Sequence, residues 1–200
     1  MPSALLTPQT TIVPASPPRK LWTRAELSAI ESTGLLVGQK LELIEGELIL
    51  KMGKNRKHSI GLLLMLDYLI SVFTQPYLQQ EMPIDVHPED VHTSEPEPDL
   101  VVLKHPALSI RVGNPRPTDI RLVCEISDTS VNFDLSIKAA LYSRASIQEY
   151  WVLDLINSRL IVHREPSVAG FQSIQAYGPD ESIAPLAAPQ AQTIVSTFFS

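Results

Sequence analysis

Hydrophobic and polar positions change period several times along this chain, and each change predicts an element. Thr23-Arg-Ala-Glu26 has the form of a capping box and opens a short helix with Leu27 and Ile30 facing inward. Leu41 to Leu50 alternates around Glu45-Gly46, which predicts two strands joined by a tight hairpin. From His58 to Phe73 apolar residues occupy 60, 62 to 66, 69, 70, 72 and 73, a density expected of a core helix buried on most of its surface. Tyr77 to Val86 reads as a strand, and Leu100 to Leu103 as a second, short and wholly apolar one. Prolines 106, 115 and 117 with Gly113 make 105–119 an irregular connection. The run Arg121 to Ser127 is then β-branched and apolar enough for a buried strand, and Asn132 to Ala145 sets Ile137, Leu141 and Ala145 on one helical face. Tyr150–Leu155 and Arg159–Arg164 complete the series as a strand pair around a turn. Strands and helices in this order predict an α/β or α+β fold around a mixed sheet.

Composition narrows this picture. In 200 residues, 44% are hydrophobic and 19% charged, as expected of one globular domain over 21–183, preceded by a Pro-, Ser- and Thr-rich leader, 1–20, and followed by a tail, 184–200. No apolar run reaches the roughly 18 residues of a membrane span, and no secretory leader is visible, so a cytoplasmic protein is expected. The single cysteine, Cys124, rules out an intramolecular disulfide and a cysteine-based zinc site. A net charge of −6 argues mildly against unspecific attraction to nucleic acid.

Three charges stand where folding alone would not put them. Glu125 lies inside an apolar strand, where an unpaired carboxylate costs several kcal/mol. Asp99 opens the apolar strand after Pro98, and Lys138 lies on the helix that follows Glu125. Two acids and a lysine suit metal-assisted hydrolysis of a phosphodiester, whose own charge repels a nucleophile until a cation neutralises it. Mg²⁺, or Mn²⁺ in its place, prefers oxygen ligands, which Asp99, Glu125 and the backbone carbonyl of Ile126 can supply. Lys138 would orient or deprotonate the attacking water, or neutralise developing charge.

Pro98-Asp99, Glu125-Ile-Ser127 and Lys138 resemble the PD-(D/E)XK nuclease signature. Leu43-Ile-Glu-Gly-Glu-Leu48, His58, Pro98-Asp-Leu-Val-Val102, Leu122-Val-Cys-Glu-Ile-Ser127, Asp134 with Lys138 and Tyr142, and Gln148-Glu-Tyr-Trp-Val-Leu-Asp154 resemble more closely the Uma-two-type restriction endonucleases within that superfamily. The resemblance covers roughly residues 22 to 165. It implies a restriction-endonuclease-like fold, a central mixed sheet flanked by helices, and Mg²⁺-dependent cleavage of DNA. One departure is plain: the superfamily's lysine usually stands two residues after the second acid, where this chain has Ser127, and the resemblance implies that Lys138 takes its role from the next helix.

Glu47, Glu42 and His58 are accessory candidates, since the superfamily often adds an acid from an early element. Lys54, Arg56 and Lys57 beside the start of the core helix are candidates for DNA phosphate contact. Glu81 to Asp99, with seven acids and no Lys or Arg, should lie away from DNA or need cations nearby. A homodimer is expected, because two sites related by a two-fold axis most simply cut both strands. The competing expectation is a nuclease-like fold that has lost catalysis and acts as a nucleic-acid-binding or regulatory module.

Overall fold

The computed structural model describes residues 18–51, 53 and 55–199. Its centre is a six-stranded sheet of order β3-β4-β5-β6-β7-β8, comprising Leu78–Gln80, Leu100–Leu103, Ile120–Ser127, Glu149–Asp154, Arg159–Arg164 and Ser173–Tyr177. β5 and β6 run parallel and every other neighbour pair is antiparallel, so the sheet is mixed as expected. The parallel pair requires a crossover, and the helical segment between Ser127 and Glu149 provides it.

Strand alternation divides the core into two layers. Leu100, Val102, Leu122, Cys124 and Ile126 face α2, the Arg56–Phe73 helix, on one side. Val101, Leu103, Ile120 and Val123 face the crossover helix on the other. By the same period of two, Glu125 and Asp99 belong to the crossover face. α2 buries Gly61, Leu62, Met65, Leu69 and Phe73 and leaves Leu63 exposed. The expectation of a helix buried on most of its surface holds: over 58–73 Leu63, Asp67 and Ser71 are the exposed positions, and the C-terminal segment packs on Tyr68 beside the sheet. A Cβ at Gly61 would come within 3.2–3.3 Å of Leu153, Leu155 and Ile126, so glycine lets the first turns of α2 lie close to the ends of β5 and β6.

Other boundaries move for identifiable reasons. The capping box at Thr23 and Glu26 forms and starts α1, Arg24–Ser32. β1, Leu41–Ile44, and β2, Glu47–Leu50, make the expected hairpin as a separate two-stranded sheet. Its Gly46 has φ +81°, and a Cβ there would lie 2.6 Å from the Leu21 Cβ, so the turn demands glycine twice over. The strand expected over Tyr77–Val86 is only β3, Leu78–Gln80; Pro83 lacks the N–H that would continue the ladder.

The crossover helix is α3, Val131–Phe133, a π turn over Asp134–Lys138, and α4, Ala139–Arg144. The wider turn rotates the register, so Ile137, expected to face inward, is 39% exposed while Lys138 beside it is buried. Beyond 183 the chain is no tail. β9, Ser182–Ile183, pairs with β10, Thr193–Ile194, and Val195 and Phe198 are buried in the α2-side core. Fully buried Glu149 ties this segment down by accepting bonds from Arg164, Trp151 Nε1 and the Leu186 N–H. The composition of 184–200 hid this because Pro, Gln and Ser outnumber its few anchoring apolar residues. Of the expected leader, 1–17 lie outside the described residues, while Arg19 pairs with Glu47 and Lys20 with Glu26. Among the described residues no helix is long and apolar enough to cross a membrane.

Candidate active site

Asp99 and Glu125 meet at the end of β5. Leu100 stands opposite Cys124 in the β4–β5 ladder, so the next pair along places Asp99 beside Glu125 on the same face. Asp99 Oδ2 accepts the Ile126 N–H at 2.8 Å, and the Asp99 N–H points to Glu125 Oε2 at 3.4 Å. The Ser127 carbonyl accepts from the Leu155 N–H on the β6 side. Alternation along β5 therefore turns the Ile126 carbonyl to the opposite edge, where Asp99 lies. Both carboxylates open onto a cleft of about 630 Å³ between the β1–β2 hairpin, the start of α2 and the crossover helix.

Lys138 fills the back of this cleft, 3% exposed. Its Nζ lies 2.9 Å from Glu125 Oε1, 3.0 Å from Glu42 Oε1 and 4.0 Å from Asp134 Oδ1. The Tyr142 hydroxyl donates to the same Glu125 oxygen at 3.1 Å, and the Ser127 and Ser130 hydroxyls donate to Asp134 at 2.5 and 2.7 Å. Asp134, Lys138 and Tyr142 are four residues apart, so helical spacing stacks them on one face and the π turn aims that face at Glu125.

One ammonium serves several acids, and the protonation equilibria follow from that imbalance. Burial pushes the Glu125 carboxyl up to about 8; Lys138 opposes the shift, while Asp134, Asp99 and Glu42 reinforce it. Asp134 is raised as well, again by burial, against Lys138 and its two hydroxyl partners. Burial disfavours the Lys138 ammonium, but Glu125, Glu42 and Asp134 together outweigh it and hold this lysine above its ordinary range. The three acids thus favour the charged form of Lys138, which suits the expected role of neutralising developing charge.

A pH prediction follows. An acid raised in the folded state binds its proton there more tightly than in the unfolded chain, so stability is lost as pH rises from the unfolded value toward the folded one. His163, lowered to about 4 by burial, acts in the opposite sense, and only below about its unfolded value of 6.5. Between pH 6.5 and 8 the raised acids set most of the slope, and the Cys124 thiol, pushed up by burial, adds to it in the same sense near the upper end. The urea midpoint of the metal-free protein should fall across this interval, and Glu125→Gln should flatten the fall; an unchanged slope in the variant would locate the titrating group elsewhere.

The accessory candidates separate. Glu42 joins the cluster, 5% exposed. Glu47 does not: it lies at the turn end of the hairpin opposite Ile44, half exposed, and pairs with Arg19. His58 stands at the cleft with Nε2 3.4 Å from Asp99 Oδ2, and its buried Nδ1 has no hydrogen-bond partner among the described residues. Arg56 and Lys57 are exposed in the first turn of α2, capped by Asn55; Lys54 lies outside the described residues. The acid run is largely neutralised locally. Arg24 pairs with Asp85 and Glu95, Lys51 with Glu97, and Arg144 with Asp90 and Glu45. Ser127, Ser130, Asp134 and Tyr142 join the site beyond the candidates read from the sequence, and the polar positions 134, 138 and 142 at helical spacing are the signal that marks the last two.

A mixed sheet with an adjacent acid pair at a strand end, backed by a helix-borne lysine, is a nuclease-like α+β fold. A crystal structure of a putative nuclease belonging to DUF820 from Anabaena variabilis ATCC 29413 is similar, with a TM-score of 0.62 at 17% sequence identity over 84% of this chain and 96% of that one. The family model described as "Uma2: Putative restriction endonuclease" matches residues 29–196, and the chain belongs to that family. No curated protein matches the chain.

Proposed function

We propose that this protein is a Mg²⁺-dependent endonuclease that hydrolyses DNA phosphodiester bonds, with Asp99, Glu125 and the Ile126 carbonyl as metal ligands and Lys138 as the catalytic cation. The observation that carries the reading is the pairing of Asp99 with Glu125 on one face at the floor of an open cleft, with Lys138 on the far oxygen of Glu125.

The donor set fits a hard cation. Among the described residues no three His, Cys, Asp or Glu side chains form a ready metal cluster. Magnesium does not need one, since it is commonly held by one or two carboxylates, with water and substrate phosphate completing the shell. Burial first, and then the neighbouring Asp134, Asp99 and Glu42, raise the Glu125 carboxyl against Lys138, and a cation bound beside it would oppose that shift. The bound ion would supply charge neutralisation and a more acidic water. Lys138, kept charged by Glu42 and Asp134, neutralises charge developing on the phosphoryl oxygens. Tyr142 and the Asp99 N–H fix the two Glu125 oxygens in place. The exposed Arg56 and Lys57, with Lys54 before them, would steady the DNA backbone at the start of α2. A cytoplasmic homodimer is part of this proposal.

The test is nicking of supercoiled plasmid by purified protein with Mg²⁺ or Mn²⁺ and with EDTA. Metal-dependent conversion to open-circular or linear DNA supports the reading. Salt-sensitive DNA binding without cleavage would favour the binding or regulatory module instead.

A further inference from the structure

The two edges of the central sheet differ in kind. β3 is three residues long, with Pro76 shortly before it and Glu81 directly after it, so proline, shortness and charge all discourage pairing there. β8, Ser173–Tyr177, has none of these devices. Gln172 to Gly178 contains no charged residue and no proline, in a chain of net charge −6. Its central residues are exposed, and Ile174 is 58% accessible. Its backbone pairs with β7 on one side, and among the described residues no other backbone hydrogen bond reaches 173–177. Alternate N–H and C=O groups of an edge strand point away from its neighbour, so β8 presents an open row of donors and acceptors.

We infer that β8 is a self-association edge, whose partner is the β8 strand of a second copy of this chain, paired antiparallel about a two-fold axis. A strand that meets its own copy this way needs no second surface, because the contact is isologous. With Gln175 on the axis, Ile174 faces Ala176 of the second copy, and Ser173 faces Tyr177. The pairing brings no charged side chains of 172–178 together. Ile174 stands opposite His163 in the β7–β8 ladder, so its side chain lies on the crossover-helix face of the sheet. There the two Ile174 residues would flank the axis and lose water together. A five-residue ladder is small beside the roughly 800 Å² per partner of a stable complex, so the dimer should be weak and concentration-dependent. The inference assigns a surface to the homodimer proposed above but does not rest on catalysis, and its test involves no cleavage.

Sedimentation velocity of the full chain over a wide concentration range tests it. The expected result is a reversible monomer–dimer equilibrium, shifted to monomer in Ile174→Lys and in Ala176→Lys. Both positions are solvent-facing, so circular dichroism and melting should be unchanged. Gln175→Cys should also give a covalent dimer under mild oxidation, since the native Cys124 is buried, whereas Val168→Cys, at an equally open position away from the strand, should not. A monomer at every concentration would overturn the inference. So would a dimer that both lysine variants leave intact.

Discussion

Asp99→Ala and Glu125→Ala are each expected to lower Mg²⁺-dependent plasmid nicking by on the order of 10³-fold or more, the scale on which loss of a group organising transition-state charge acts. The two residues sit in register on neighbouring strands, so neither can replace the other: removing one leaves a single side-chain carboxylate and a carbonyl. Glu125→Gln is the sharper probe. It keeps the shape of the side chain and an oxygen for Lys138, but removes the negative charge a hard cation needs. Loss of cleavage in Glu125→Gln with a melting temperature no lower than that of the wild type separates a role in the reaction from a role in folding. Equal nicking by wild type and all variants would assign the signal to a contaminant.

The second large effect concerns stability. Lys138→Met should destabilise the protein by about 3–5 kcal/mol at neutral pH, the usual cost of removing one partner from a buried charge network. Glu42, Glu125 and Asp134 are all at least 95% buried and would face one another without their shared cation. The loss should shrink at pH 5, where the acids can protonate, and grow toward pH 8. A double-mutant cycle by urea denaturation checks the cause. Lys138→Met/Glu42→Gln should be more stable than Lys138→Met alone, because one uncompensated carboxylate is gone. Additive losses would mean that Glu42 and Lys138 are not energetically coupled, against the 3.0 Å contact.

Much of this arrangement is legible in the chain because burial makes charge conspicuous. Glu125 is readable as a site residue since its neighbours Cys124 and Ile126 are apolar and an acid among them needs a reason. Asp99 follows from its place at the mouth of the next apolar strand. The hairpin, the capping box and the strands either side of Asp154 are equally local: each is set by a few residues at fixed spacing. What escapes sequence reading depends on distant partners. Glu42 and Glu47 share one hairpin, and only the approach of Lys138 on one side and Arg19 on the other separates their surroundings. Ile137 looks like a core residue until the π turn rotates it outward, and no residue type in 134–138 announces that turn. β8 and the 182–199 segment are hidden for another reason. β8 is an exposed edge with little apolar alternation, while the C-terminal segment is held by isolated anchors such as Phe198 and by the buried carboxylate of Glu149.

Asp99 and Glu125 are proposed to share one hard cation. Crystals grown with Mn²⁺, examined by anomalous scattering at the manganese edge, test it most directly. A single strong peak is expected about 2.0 to 2.3 Å from a carboxylate oxygen of each residue and from the Ile126 carbonyl, lost in Glu125→Gln. A peak elsewhere, or none at this pair at millimolar Mn²⁺ with the cleft open, would contradict it.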